Sequence, residues 1–346
     1  MLGPGSSVAI IGAGQIGYAT AMAFIDRGWS VTVYARTAPS WPLGTSKLRR
    51  GLIDKALKWR PFDAAFRQHD ASENPAPNAD LVLDTIAFDA ADVERYDPNR
   101  VGRLIAISSA SVYCDQKGRT LDEAAQNGFP EFGGAVSENQ STVAPGPETY
   151  STRKIRMEQR AAKLFGDRAT ILRPCAIYGE WSRHPREWWF IKRLLDGRSQ
   201  IPLIHGGLSQ FQTTSVEDIA YFAVDAAEQS LGGVYNVADE GCPTVAEIGE
   251  ILSDPFDNPP ELVPLDGAGL VGRTPWSVAK PFSISNARMV AAGYDLPSTY
   301  GSGAPQAARW LRELNPADWQ TAFPQLAAYP WDLFDYDTED SFLKGR

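Results

Sequence analysis

The feature that most constrains the fold is a cluster of three glycines close to the start of the chain. It reads Gly12-Ala13-Gly14-Gln15-Ile16-Gly17 and follows an apolar segment, residues 8–11. A helical pattern at residues 18–26 and a second apolar segment at 31–34 come next, as in a βαβ unit. In that setting the three glycines permit a tight turn, close approach of a pyrophosphate, and close packing of helix against strand. The pattern predicts dinucleotide binding, with a purely structural glycine turn as the alternative.

The end of the second predicted strand bears on the choice of cofactor. Asp or Glu at this place would bind the ribose hydroxyls of NAD, whereas the sequence reads Tyr34-Ala35-Arg36-Thr37. An arginine suits the 2′-phosphate of NADP. The alternative is a solvated Arg36 that ends the strand. The sequence therefore favours NADP, with NAD the less favoured cofactor.

Charge and composition exclude several classes of protein. The formal net charge of -9 argues against a surface for nucleic acid, which needs clustered Lys and Arg. Three cysteines and three histidines are scattered without the spacing of a disulfide framework or a zinc site, so we expect a cytoplasmic protein without a metal. The apolar residues 8–25 lack a basic segment before them and are explained by a buried strand and helix, and no membrane segment is expected.

The 346 residues are enough for two lobes. Further apolar runs at 81–83, 104–107 and 170–172 alternate with helical patterns, as in a parallel sheet, while the third strand cannot be placed within 38–78. The composition changes after Gly179, and a helix and strand at 216–237 return to the first lobe. We therefore expect an α/β fold, a Rossmann-type doubly wound parallel sheet with a smaller, interleaved C-terminal substrate domain. The expected boundaries are 1–179 and 208–240 for the NADP-binding domain, and 180–207 and 241–346 for the substrate domain.

A tyrosine and a lysine point to chemistry at the cofactor. Tyr150 and Lys154 are four residues apart at the start of a helical segment and therefore share one face. A tyrosine with a pKa of about 10 is a poor acid or base at neutral pH unless a neighbouring ammonium stabilises the phenolate. The predicted strand 104–107 runs into a serine-rich segment, residues 108–113, which places hydroxyl groups at the carboxyl edge of the sheet. Serine, tyrosine and lysine are expected to converge there.

These motifs together resemble the extended, here atypical, short-chain dehydrogenase/reductase family, which includes NAD-dependent epimerases and dehydratases. The resemblance covers most of the chain. It rests on the following segments: the glycine loop, residues 108–113, Tyr150-Ser151-Thr152-Arg153-Lys154, Arg173-Pro174-Cys175-Ala176-Ile177-Tyr178-Gly179, Val216-Glu217-Asp218 and Val234-Tyr235-Asn236-Val237.

The resemblance implies an NADP-dependent oxidoreductase, epimerase or dehydratase that acts on a small molecule by hydride transfer. It makes Tyr150 the acid/base, Ser109 the catalytic serine with Ser111 as second choice, and Lys154 the residue that binds the nicotinamide ribose and lowers the tyrosine pKa. The cofactor contacts that it implies are Gly12, Gly14, Gln15, Ile16, Gly17, Arg36, Ala87, Tyr150, Lys154 and Pro174. A homodimer is usual in the family, and the sequence leaves the oligomeric state open.

Two departures from the family pattern qualify the expected function. Most members carry GxxGxxG, whereas this chain has GxGxxG, so a catalytically silent NADP-sensing regulator or binding module is the alternative function. Nucleotide-sugar enzymes of the family place Asn in the strand before the Tyr-Gly pair, and this chain has Arg173-Pro174 there. That form resembles members that act on less charged substrates.

The tryptophans Trp181, Trp188, Trp189 and Trp276 are expected to fill a core rather than to line a cleft.

Overall fold

The computed structural model describes residues 2–36, 41, 57–61, 77–267, 269–295 and 297–345. The strands are β1 (Ser7–Ile11), β2 (Ser30–Ala35), β3 (Leu57–Pro61), β4 (Ala79–Asp84), β5 (Val101–Ile107), β6 (Ala169–Pro174), β7 (Ala176–Tyr178), β8 (Gln200–Leu203), β9 (Thr213–Ser215), β10 (Gly233–Val237) and β11 (Glu261–Pro264). The helices are α1 (Gln15–Asp26), α2 (Ala90–Val93), α3 (Ala124–Asn127), α4 (Tyr150–Phe165), α5 (Trp188–Leu195), α6 (Val216–Glu228), α7 (Val245–Ser253), α8 (Ala287–Ala291), α9 (Tyr300–Leu314), α10 (Trp319–Ala322) and α11 (Tyr336–Lys344).

Seven strands form one parallel sheet in the order β3-β2-β1-β4-β5-β6-β10. The chain builds outward from β1 to β3, crosses the sheet, and continues from β4 on the other side of β1. The strand order therefore reverses between β1 and β4, where open parallel sheets bind their ligands. The predicted Rossmann-type fold is confirmed, and the third strand, which the sequence did not place, is β3.

Helices cover both faces of the sheet, which explains why its central strands read as continuous apolar runs. On one face α1 and α6 pack together over Ile10, Val33 and Leu83. On the other face α4 buries Met157 and Ala161 against the neighbouring strands. The predicted helical segment that begins at Tyr150 is α4, and the helix predicted after residue 216 is α6.

A second lobe is built from α5, α7, α9 and the two-stranded sheet of β8 and β11. Its core is aromatic: Trp188, Trp189 and Trp276 are each 1% exposed. The expectation that these three tryptophans fill a core is confirmed. Trp181 is half-buried and lies between the lobes, with its ring 5.9 Å from both Tyr18 of α1 and Trp310 of α9.

Candidate active site

The glycine loop connects β1 to α1 at the carboxyl edge of the sheet. Gly12 has a φ of +103°, a region that favours glycine, and its N–H donates to the Tyr34 carbonyl at 2.9 Å. A Cβ on Gly12 would lie 2.4 Å from Oγ1 of Thr85, and a Cβ on Gly17 would lie 2.1 Å from the Gly12 carbonyl oxygen. Gly12 is thus required by its packing against the turn after β4, and Gly17 by the packing of α1 against the glycine loop.

The second glycine leaves the start of α1 open to a ligand. Gly14 precedes the helix without a side-chain cap, and no described atom lies within 4 Å of a Cβ placed on it. The adjacent Gln15 lies beside Gly179, and its Nε2 is buried without a hydrogen-bond partner among the described residues. Uncapped N–H groups at the positive end of a helix bind phosphate. The loop therefore fits the pyrophosphate of a dinucleotide, with Ile16 half-buried in the same first turn.

Two side chains follow β2 near this loop. Arg36 is exposed one residue beyond the strand, and the backbone of the strand end is tied to the loop through Tyr34. Trp41 donates its indole N–H to the Ala13 carbonyl at 3.2 Å, and its ring packs edge-on against Tyr18. The structure thus places Arg36 on the glycine-loop side of the sheet edge.

The tyrosine and serine meet where α4 begins. Thr149 caps the helix, since its Oγ1 accepts from the N–H of Thr152 at 3.2 Å, and this cap makes Tyr150 the first helical residue. The Ser109 hydroxyl lies near the Tyr150 hydroxyl and favours its phenolate form. Burial raises the pKa of Tyr150 to about 12, although 43% of the residue is exposed, and Ser109 lowers it in part. The phenol is therefore protonated at neutral pH, and the lowered pKa that the family resemblance implies for Tyr150 is not found, because burial has the larger effect.

The lysine lies one turn farther along α4 and is 5% exposed. Its ammonium donates to the carbonyls of Ala87 at 2.6 Å and Ile107 at 2.9 Å, and Nζ lies 5.6 Å from the centroid of the Tyr150 ring. Burial lowers the pKa of Lys154 to about 8, and the nearby Asp84, Glu158 and Asp92 carboxylates oppose this shift. The structure therefore brings Ser109, Tyr150 and Lys154 together, and places Ala87 beside the lysine.

Other predicted residues occupy the same edge. Ser111 is bonded to the hydroxyl of Ser151 at 2.9 Å, whereas Ser109 reaches Tyr150, which makes Ser109 the better placed of the two serines. Pro174 ends β6 and is buried. Burial raises the pKa of the next residue, Cys175, to about 12, which keeps its thiol neutral.

A buried ion pair beneath these groups was not foreseen from the sequence. Arg173 donates to Glu158 through Nε at 3.0 Å and through Nη2 at 2.5 Å, and Glu158 also accepts from the Ser108 hydroxyl at 2.5 Å. The Arg173 guanidinium lies over the Tyr113 ring. Glu158 is four residues after Lys154, so the helical spacing could have marked it as part of the same face.

A buried carboxylate at the end of β4 was also missed. Asp84 is 1% exposed and accepts from the N–H groups of Ile86 at 2.9 Å and Ala87 at 2.7 Å, and from the Tyr96 hydroxyl at 2.5 Å. Burial raises its pKa above the ordinary value. A charged residue that ends an apolar run at the carboxyl edge of a sheet was the available signal.

Solved structures share this fold across nearly the whole chain. One is UDP-glucuronic acid 4-epimerase from Bacillus cereus in complex with NAD, at 17% identity and a TM-score of 0.62, over 90% of this chain and 100% of that one. Another is dTDP-glucose 4,6-dehydratase from Bacillus anthracis in complex with NAD, at 16% identity and a TM-score of 0.58, over 91% and 98%. A third is UDP-N-acetylglucosamine 4-epimerase from Methanobrevibacter ruminantium, at 19% and 0.60, over 90% and 99%. No curated protein sequence matches the chain significantly.

The fold and the Ser-Tyr-Lys cluster define a dinucleotide-dependent enzyme of the short-chain dehydrogenase/reductase type. The family model for NAD dependent epimerase/dehydratase proteins matches residues 8–238, and the chain belongs to that family. Its activity is accordingly of the nicotinamide-dependent epimerase/dehydratase type. Within the part of the chain that is described, no helix is both long and apolar enough to cross a membrane.

Proposed function

We propose that this enzyme transfers a hydride between NADP and a carbinol or carbonyl carbon of a small molecule, with Tyr150 as the acid/base. The observation that carries the proposal is the meeting of Ser109, Tyr150 and Lys154 at the end of the sheet where the glycine loop lies. When bound, the nicotinamide accepts and returns the hydride.

Tyr150, Ser109 and Lys154 have separate roles in the proposed reaction. Tyr150 moves the proton of the substrate hydroxyl, because its own hydroxyl lies at the start of α4 and near Ser109. Ser109 donates to the oxygen on which negative charge develops. Lys154 binds the nicotinamide ribose, and its ammonium near the Tyr150 ring favours the phenolate once the proton has left.

Arg36 supports the choice of NADP. It is exposed beyond β2, and neither Tyr34 nor Ala35 offers a carboxylate to the ribose hydroxyls of NAD. A guanidinium that pairs with the 2′-phosphate contributes about 1.5–3 kcal/mol. We expect Arg36→Ala to weaken NADP binding about 10- to 100-fold and to leave NAD binding nearly unchanged. Arg27→Ala is the matched control, since Arg27 pairs with Asp225 and Glu228 instead.

Titration of the apoprotein with both cofactors tests this assignment, and tighter binding of NAD than of NADP would overturn it. Turnover is tested with carbonyl compounds, alcohols and nucleotide sugars. A net change in nicotinamide absorbance indicates a reductase or dehydrogenase. Constant absorbance with an inverted stereocentre or loss of water in the product indicates an epimerase or dehydratase. Cofactor binding without any conversion would instead support the NADP-sensing regulator.

The substrate is proposed to enter between the two lobes, with the domain boundaries expected from the sequence. The three solved structures named above concern enzymes of nucleotide sugars, whereas the strand after α4 here reads Arg173-Pro174, and Ala176 follows in β7. We therefore place less charged carbonyl compounds first in the screen. We also propose that the protein is cytoplasmic and that it forms a homodimer.

A further inference from the structure

Asp84 lies at the junction of the two parts of the site, the glycine loop and the lysine of α4. It is the last residue of β4, the strand beside β1 at the point where the strand order reverses. No role follows for this residue from the hydride and proton steps above. A carboxylate buried this deeply is costly unless hydrogen bonds and charges compensate it.

The carboxylate organises the turn that follows β4. Oδ1 accepts from the backbone N–H groups of Ile86 and Ala87, and Oδ2 accepts from the Tyr96 hydroxyl. The carbonyl of Ala87, in that same turn, accepts from the Lys154 ammonium at 2.6 Å. One side chain therefore fixes the position of the acceptor that holds the lysine.

The same turn contacts the cofactor loop. The N–H and hydroxyl of Thr85 both donate to the Ile11 carbonyl, at 3.0 and 2.8 Å. Thr85 also faces Gly12 so closely that a Cβ on the glycine would lie 2.4 Å from Oγ1. The turn held by Asp84 is thus shared between the pyrophosphate loop and the lysine.

Electrostatic interaction is a second connection between Asp84 and Lys154. The Lys154 ammonium is buried and contacts two neutral carbonyls, so its charged state depends on carboxylates farther away. The ionisable groups around it are Asp84 on β4, Asp92 on α2, and Glu158 and Tyr150 on α4. Glu158 is already paired with Arg173, and Asp92 with Arg95. The described bonds of Asp84 are to neutral groups, and the charge of Arg95 also acts to lower its pKa. Asp84 also has the largest effect among these carboxylates on the pKa of Lys154.

We propose that Asp84 is a positioning residue, which fixes the turn that holds Lys154 and supplies a buried negative charge for its ammonium. The inference rests on the proposed role of Lys154 in cofactor binding. It adds that a carboxylate at the end of β4 opposes the effect of burial on the charge of a lysine in α4.

The test is the pH dependence of cofactor affinity, measured by fluorescence of the reduced cofactor. Binding to the wild type should weaken as the pH rises past about 8, because Lys154 loses its proton there. Asp84→Asn keeps the shape of the side chain but removes the charge. In this variant the fall in cofactor affinity at alkaline pH, called the alkaline limb, should move to lower pH by about one unit. Tyr96→Phe removes the bond that does most to lower the pKa of Asp84, so it should move the alkaline limb in the same direction as Asp84→Asn, by a smaller amount. An unmoved limb in folded Asp84→Asn would overturn the inference.

Lys154→Met separates failure of the inference from failure of the proposed function. If this variant keeps the wild-type limb, the assigned role of Lys154 is wrong and the inference falls with it. If the limb disappears in Lys154→Met yet is unmoved in Asp84→Asn, the inference alone is wrong. Should Asp84→Asn not fold, the carboxyl groups of ¹³C-aspartate-labelled wild type are titrated by NMR. Asp84 must be ionised at pH 7, and a neutral carboxyl there would overturn the inference.

Discussion

The catalytic edge of the sheet and the core of the second lobe are both deeply buried, yet they bury different chemistry. At the catalytic edge the buried side chains are polar, and each has hydrogen-bond partners: Asp84, Ser108, Lys154, Glu158 and Arg173. In the second lobe the core is aromatic. The indole N–H groups of Trp188, Trp189 and Trp276 have no hydrogen-bond partner among the described residues.

The difference shows what each region is selected to do. Burying an aromatic ring removes about 150–250 Å² of surface from water, which outweighs one unpaired N–H. Buried charges give little net stability even when paired, and their geometry is demanding. The catalytic edge therefore maintains a costly polar network because its positions serve the reaction, while the aromatic core of the second lobe contributes mainly to stability. Four changes test this division, beginning with the largest expected effect.

Tyr150→Phe should lower kcat by about 10²- to 10⁴-fold, because it removes the group that moves the proton. Cofactor affinity and the free energy of unfolding should stay close to those of the wild type. The control is Tyr336→Phe in the second lobe, which removes a hydroxyl bonded to Asp196 and should leave kcat unchanged. Steady-state kinetics with a verified substrate measure both variants. An unchanged kcat for Tyr150→Phe would contradict the assigned role.

Trp188→Ala should lower the free energy of unfolding by about 3–5 kcal/mol, because it leaves a large cavity in the aromatic core. The expected kcat of the folded protein is that of the wild type. Urea denaturation gives the stability, and Leu208→Ala is the control, since that side chain is 70% exposed and its loss should cost less than about 0.5 kcal/mol. A loss of less than about 1 kcal/mol for Trp188→Ala would show that the lobe does not depend on this core.

Glu158→Gln and Glu339→Gln form a comparable pair, because each removes the carboxylate from a buried ion pair with an arginine. Arg173 donates to both oxygens of Glu158, whereas Arg193 donates to one oxygen of Glu339. Arg173 reaches Glu158 at 2.5 Å beneath the site, and Arg193 reaches Glu339 at 2.5 Å where α11 docks on α5. Each change should cost about 3 kcal/mol, since it leaves an uncompensated buried guanidinium. Only Glu158→Gln should also lower kcat, by about tenfold, because it weakens the hydrogen bond that joins Ser108 to α4 beside the site. Equal effects on kcat would remove the distinction between the two regions.

The smallest effect is expected from Glu187 in the second lobe, which is 2% exposed and bonded to the Tyr300 hydroxyl at 3.2 Å. Burial raises the pKa of Glu187 to about 7, above that in the unfolded chain. The folded state therefore binds the proton more tightly, and the free energy of unfolding should fall as the pH rises from about 4.5 to 7. Glu187→Gln removes this dependence and should gain about 1–3 kcal/mol relative to the wild type across that range. Parallel stability profiles for the two proteins would refute this account.

Much of the fold and part of the site could be predicted from the sequence because their signals are local. The βαβ unit follows from two apolar runs and a glycine turn, and the shared face of Tyr150 and Lys154 follows from helical spacing. β3 was not placed because its alternation, Leu57-Lys58-Trp59-Arg60, spans only four residues before Pro61 and lies in a stretch, residues 38–78, that has no clear period. Glu158 and Arg173 are fifteen residues apart, and no local pattern says that a helix and a strand will pair them.

By itself, the sequence determined that a dinucleotide loop opens the chain and that a tyrosine and a lysine share one helical face, since both depend on a few consecutive residues. Only the tertiary structure decided that Ser109 rather than Ser111 reaches Tyr150, and that Asp84 holds the turn bound by Lys154. These contacts join segments that are distant along the chain. Their geometry depends on the register of strands and helices, which forms only when the whole sheet is packed.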